Sequence, residues 1–96
     1  MADVRYFRRH WDEERGDSYD AWGHSWWYFA TDNQGGVTKQ VEIYDNGTVL
    51  VYDEQHPEDE YGGLSLVALD LADFAPYAID ADAFQREAGR LARRIR

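Results

Sequence analysis

The chain has 96 residues, no cysteine and a formal net charge of −9. This length fits one small domain over residues 1–96, and 44% apolar and 16% aromatic residues are too many for a disordered acidic chain. The missing cysteine excludes disulfides, thiolate metal sites and thiol nucleophiles. Residues 1–11 are too charged for a signal peptide, and no apolar run approaches the ~20 residues that span a bilayer, so we expect a cytoplasmic protein.

Apolar alternation and aromatic enrichment predict strands at about residues 4–11, 25–31, 37–45, 48–53 and 64–70. The run 25–31 (SWWYFAT) carries aromatic side chains on both faces, which is typical of a central strand covered on both sides. Polar, glycine-punctuated segments at 12–24 and 53–63 read as loops. These features predict an antiparallel meander.

The dipeptide Asn46-Gly47 lies between two β-rich runs and predicts a two-residue hairpin loop. In that register Ile43 faces Leu50 and Val41 faces Tyr52. All four side chains would then share one apolar face.

One amphipathic helix is predicted at about residues 81–95. Asp80 is a suitable N-cap, and apolar residues recur at helical spacing on one face: Phe84, Ala88, Leu91, Ala92 and Ile95. The predicted fold class is therefore α+β, an antiparallel β-meander of 4–5 strands with one C-terminal amphipathic helix packed on one face.

The stretch from Val41 to Gly47 (VEIYDNG), with Lys39-Gln40 before it and Tyr52-Asp53 after it, resembles a hairpin motif of known bacterial domains. The family comprises small uncharacterised bacterial (actinobacterial-type) domains of unknown function. The segment from Ile79 to Phe84 is similar to the start of that family's helix. The resemblance implies a β-meander plus a C-terminal helix in a bacterial, intracellular protein, and it implies no activity.

The sequence contains no motif that indicates catalysis. The three histidines (His10, His24 and His56) lack the spacing of paired metal ligands, and no serine lies in a nucleophile elbow. We therefore predict no catalytic residue, no metal and no cofactor.

Acidic and aromatic residues are concentrated in the two long loops. We predict a non-catalytic protein-binding domain, such as an immunity or inhibitor protein, that docks on a basic partner protein. Nucleic acid and anionic membrane are not expected partners, because a chain this acidic repels both. We expect a monomer or a weak homo-oligomer. The predicted partner-binding residues are Tyr19, Trp22, Asp53, Glu54, Glu58, Asp59 and Glu60.

Other interpretations remain open at this stage. One is a small-ligand-binding domain or minor enzyme with a sheet–helix pocket lined by Trp26, Tyr28 or Tyr52. Another is a DNA-mimic anti-defence protein, and a third is a subunit that oligomerises through an aromatic sheet face. The aromatic run at residues 19–29 fits either a core or an interface.

Overall fold

A computed structural model describes residues 4–89. Its main sheet has five antiparallel strands. The four long strands are β1 (Arg5–Trp11), β2 (Ser25–Thr31), β3 (Val37–Tyr44) and β4 (Val49–Asp53), and the fifth is the short edge strand β7 (Ala78–Ile79). Their order in the sheet is β4-β3-β2-β1-β7. The aromatic strand β2 lies at the centre of the sheet, as its two-sided pattern predicts. The α+β meander is confirmed.

Shorter elements complete the chain. Residues after β4 form a small hairpin, two short helices and an edge strand: β5 (Glu58–Asp59), β6 (Gly62–Gly63), α1 (Leu71–Phe74), β7 (Ala78–Ile79) and α2 (Ala81–Phe84). Helix α1 continues into a 3-10 turn at Ala75–Tyr77, and α2 continues into a π-helical turn at Gln85–Gly89. None of the helices in the described part of the chain has the length and hydropathy needed to cross a bilayer.

The predicted strand at 64–70 is wrong. This segment is irregular, and β7 supplies the fifth strand by pairing Tyr6 with Ile79 on the free edge of β1. Leu66 and Val67 are 97% and 76% exposed, so these two apolar side chains do not contribute to the core. A short apolar run is a weak strand signal because its periodicity alone does not show whether the run is an extended, buried strand.

The hairpin between β3 and β4 is present, but its predicted register is wrong by one residue. Ile43 pairs with Val49, and Val41 pairs with Val51. The loop has three residues, because Tyr44 N donates to Thr48 O at 2.9 Å. Only Gly47 takes a positive φ, of 91°, whereas a two-residue loop of type I′ would require one at Asn46 as well.

The corrected register gives the sheet two different faces. The first, the helix face, carries a core in which Tyr28, Val41 and Val51 pack with Phe84 and Ala88. Asp80 caps α2 as predicted, since its Oδ1 accepts from Ala83 N at 2.7 Å. The predicted helical positions Leu91, Ala92 and Ile95 lie outside the described residues.

The opposite face, here called the loop face, is covered by loops. Leu50 and Tyr52 lie on it, packed with Tyr44 and with the partly buried side chains of Trp22, Tyr61 and Leu64. Polar β3 side chains that alternation assigns to solvent are buried there, because segments 12–24 and 57–65 fold over them.

Candidate functional site

The middle of the loop face holds a buried carboxylate. Register places Arg9, Trp27, Glu42 and Leu50 in one row across the four long strands. Glu42 is 3% exposed, yet it lines an open cleft of about 310 Å³. Trp11, Ser25, Trp27 and Tyr44 line the same cleft, whose rim carries Glu13, Glu14 and Asp17.

Neutral donors hold the Glu42 carboxylate in place. The Tyr44 hydroxyl donates to Oε1 at 2.5 Å, and the Gln40 amide donates to Oε2 at 2.8 Å. No basic side chain among residues 4–89 forms an ion pair with it. Burial raises the pKa of Glu42, an effect that these two hydrogen bonds and the more distant charge of Arg15 only partly offset.

Gln40 also holds one of the covering segments against the loop face. Its side chain is 2% exposed, donates to Gly63 O at 3.1 Å and accepts from Ser65 N at 3.0 Å. The amide therefore holds the segment after β6 against the sheet and, through its bond to Glu42, orients the carboxylate.

Arg15 holds the other covering segment, loop 12–24, in place. Its guanidinium donates to Asp17 Oδ2 at 2.9 Å, to the Tyr44 hydroxyl at 3.3 Å and to the carbonyl of Tyr61. It also lies 5.3 Å from the Trp22 ring and 5.4 Å from the Tyr19 ring. Burial opposes the charge, but the bonds to Asp17 and Tyr44 outweigh it, so the pKa of Arg15 is raised.

The predicted residues Tyr19 and Trp22 belong to this segment and are half-buried. Their rings are 4.7 Å apart, and both contact Tyr61 of the β5–β6 hairpin, at 5.3 and 5.4 Å. The structure therefore brings together the two acidic loops that the sequence separates. It packs the two aromatic side chains between those loops and leaves only part of each ring at the surface.

The five predicted acidic residues divide into two groups. Asp53 and Asp59 shape their own turns. Asp53 accepts from His56 N at 2.8 Å, and Asp59 accepts from the Tyr52 hydroxyl at 2.9 Å and from Tyr61 N at 2.8 Å. The side chains of Glu54, Glu58 and Glu60 are exposed.

The three residues proposed for a sheet–helix pocket do not converge. Tyr28 is buried on the helix face against Phe84, Trp26 lies at the exposed end of that face, and Tyr52 lies on the loop face. The described part of the chain contains no cluster of three or more His, Asp or Glu side chains that could hold a metal ion.

Sequence analysis missed the principal cleft residues, namely Trp11, Arg15, Trp27 and Glu42, and also Gln40, which binds the Glu42 carboxylate. The available signal was the excess of aromatic residues at 19–29, which indicates that both sheet faces are covered. Compared with protein-family models, with curated proteins and with solved structures, the chain matches none.

Proposed function

We propose that this domain is a non-catalytic binding protein that docks a basic partner protein at the end of the sheet where its two acidic loops meet. One observation carries the proposal: contacts of Arg15, Tyr19 and Trp22 with Tyr61 join loop 12–24 to loop 53–63 as a single surface. These loops contain ten Asp and Glu residues and only one Lys or Arg, which is Arg15 itself. That arginine is already engaged with Asp17, so the joined surface is strongly negative.

Pre-organisation supports binding through this surface. The ring contacts among Tyr19, Trp22 and Tyr61 hold both loops before any partner arrives, which lowers the entropic cost of association. Clustered charge of one sign speeds encounter with a partner of opposite sign and makes the complex sensitive to salt. The resemblance to small bacterial domains adds a bacterial cytoplasmic setting to the proposal, in which an immunity or inhibitor role is its concrete form.

The test compares two double variants with the same change in net charge. Glu58→Gln with Glu60→Gln removes two exposed charges from the joined surface, whereas Asp73→Asn with Asp82→Asn removes two from the helices. Tagged proteins are used at low salt to capture partners from cell extract, and the association rate of each captured partner is then measured at several salt concentrations.

We expect a stoichiometric basic partner that dissociates at high salt. Its association should slow about tenfold or more with the Glu58/Glu60 variant and change little with the Asp73/Asp82 variant. Equal effects of the two variants, or capture of no basic partner, would refute the proposal.

A further inference from the structure

The cleft around Glu42 combines an anionic base with an aromatic wall. Glu42 and Trp27 are direct cross-strand neighbours, and both line the cleft. Trp27 is half-buried, and its indole N–H donates to Ser25 Oγ at 2.7 Å, which fixes the orientation of the ring. In the described part of the chain no guanidinium lies over the Trp27 ring, although Arg8 lies over Trp26 on the opposite face.

Guanidinium groups already stack on aromatic rings on both sides of this cleft. Arg9 lies 5.5 Å from the Trp11 ring, 5.2 Å from Phe74 and 4.7 Å from Tyr77. On the other side, Arg15 lies over Tyr19 and Trp22. A third guanidinium on Trp27 would thus repeat an arrangement that the loop face uses twice, and this one would have a carboxylate to pair with.

We propose that this cleft receives the guanidinium of one arginine side chain of the basic partner, stacked on Trp27 and paired with Glu42. The proposal rests on the function proposed above and identifies the residue type that anchors the partner.

Size and charge both favour this occupant. A cleft of about 310 Å³ lies at the lower limit of small-molecule sites, which suits a single side chain. Glu13 and Glu14 on its rim attract a cation, since the charge of Arg15, which lines the same cleft, is already balanced by Asp17. A planar guanidinium can stack and pair at once, whereas an ammonium is a compact point charge, so arginine fits better than lysine.

The cleft can be tested without the partner by using methylguanidinium chloride as the probe. The indole N–H resonances of the four tryptophans report binding by NMR during titration at constant ionic strength. We expect saturable shifts at Trp27 and Trp11 with a Kd on the order of 1 mM, and weaker binding of methylammonium. Trp26, on the helix face, serves as the internal control and should not move.

Glu42→Gln should weaken methylguanidinium binding about tenfold or more while the protein stays folded. Asp82→Asn, which removes one exposed negative charge from α2 and not from the cleft, should have an effect of less than about threefold. Failure of Trp27 to respond, equal shifts at Trp26, or unchanged binding by Glu42→Gln would overturn the proposal.

The two proposals fail in different ways. If methylguanidinium does not bind but a basic partner still depends on Glu58 and Glu60, the arginine site is wrong and the docking surface stands. If methylguanidinium binds the cleft but no basic partner is found, the docking function fails and the cation site stands.

Discussion

Replacing Glu42 by Gln should make the protein more stable at neutral pH. Burial of an ionised carboxylate without a counter-ion costs several kcal/mol, and each of its two hydrogen bonds returns about 1.5–3 kcal/mol. Gln fits the same space: its Oε1 can accept from Gln40, and its amide can donate to the Tyr44 hydroxyl, whose own proton then turns to water in the open cleft. A neutral amide costs less to bury than a carboxylate, so the balance favours Gln by about 1–2 kcal/mol.

The pH dependence follows from the direction in which the Glu42 pKa moves. Because this pKa is raised in the folded protein, protonation stabilises the fold below the unfolded-state value of about 4.3. That stabilisation is lost as the pH rises through the folded-state pKa. The advantage of the Gln variant should therefore be complete at neutral pH and should disappear as the pH falls below about 4.

Urea denaturation at several pH values measures both effects, and thermal melting should show an increase of about 4–8 °C for each kcal/mol. The matched control is Glu13→Gln, an exposed residue of the cleft rim, which should change stability by less than about 0.5 kcal/mol. A Glu42→Gln variant that is less stable than the wild type at pH 7 would refute the reasoning. It would mean that the carboxylate gains more from its two donors than it loses by burial.

Three further predictions concern Tyr28 on the helix face, Arg15 on the loop face and Gly47 in the β3–β4 hairpin. Burial raises the pKa of Tyr28 to about 12, with a contribution from its hydrogen bond to Glu87. Between pH 10 and about 12 the wild type should lose about 1.4 kcal/mol of stability per pH unit through this group, and Tyr28→Phe should remove that part of the slope in alkaline urea titrations. Arg15→Lys keeps the charge but cannot make all three hydrogen bonds of the guanidinium, so we expect the free energy of unfolding in urea to fall by about 1–2 kcal/mol and hydrogen exchange in residues 12–24 to become faster. Unchanged exchange would mean that Arg15 does not hold this loop in place. Gly47→Ala meets no atom within 4 Å and should cost about 1–2 kcal/mol from positive φ alone; no loss in thermal melting would argue for a different loop.

Sequence reasoning succeeded where the deciding signal is local. The aromatic run of β2 identifies the central strand because it leaves no face for solvent, and Asp80 identifies the start of α2 because its side chain binds the first turn. The Asn46-Gly47 pair places the hairpin but not its register, since this dipeptide suits both a two-residue loop and a three-residue loop. The difference is only whether Asn46 takes a positive φ, and in the structure it does not.

The candidate cleft could not be predicted, because its burial comes from distant segments. Alternation along β3 assigns Gln40 and Glu42 to solvent, since Val41 and Ile43 point to the helix face. The loops that cover them begin more than ten residues away in either direction. Arg15 looked like one basic residue in an acidic loop, and nothing in its neighbours indicates that it contacts Tyr44 and Tyr61.

Glu42 differs from the other buried residues of the fold. The other buried side chains among the described residues are either apolar or polar without a charge. Glu42 instead buries an ionisable carboxylate whose hydrogen-bond donors are both neutral. Such departures from local consistency are expected where function rather than stability has chosen the residue. The proposed role accounts for this departure, because a guanidinium would supply a counter-ion in direct contact with Glu42, whereas Arg15 reaches the carboxylate only through the Tyr44 hydroxyl. A purely structural carboxylate would make Glu42→Gln lose stability, whereas a binding carboxylate would make the same variant gain stability and lose its cation. Because the donors to the buried carboxylate are neutral, we predict the second pattern.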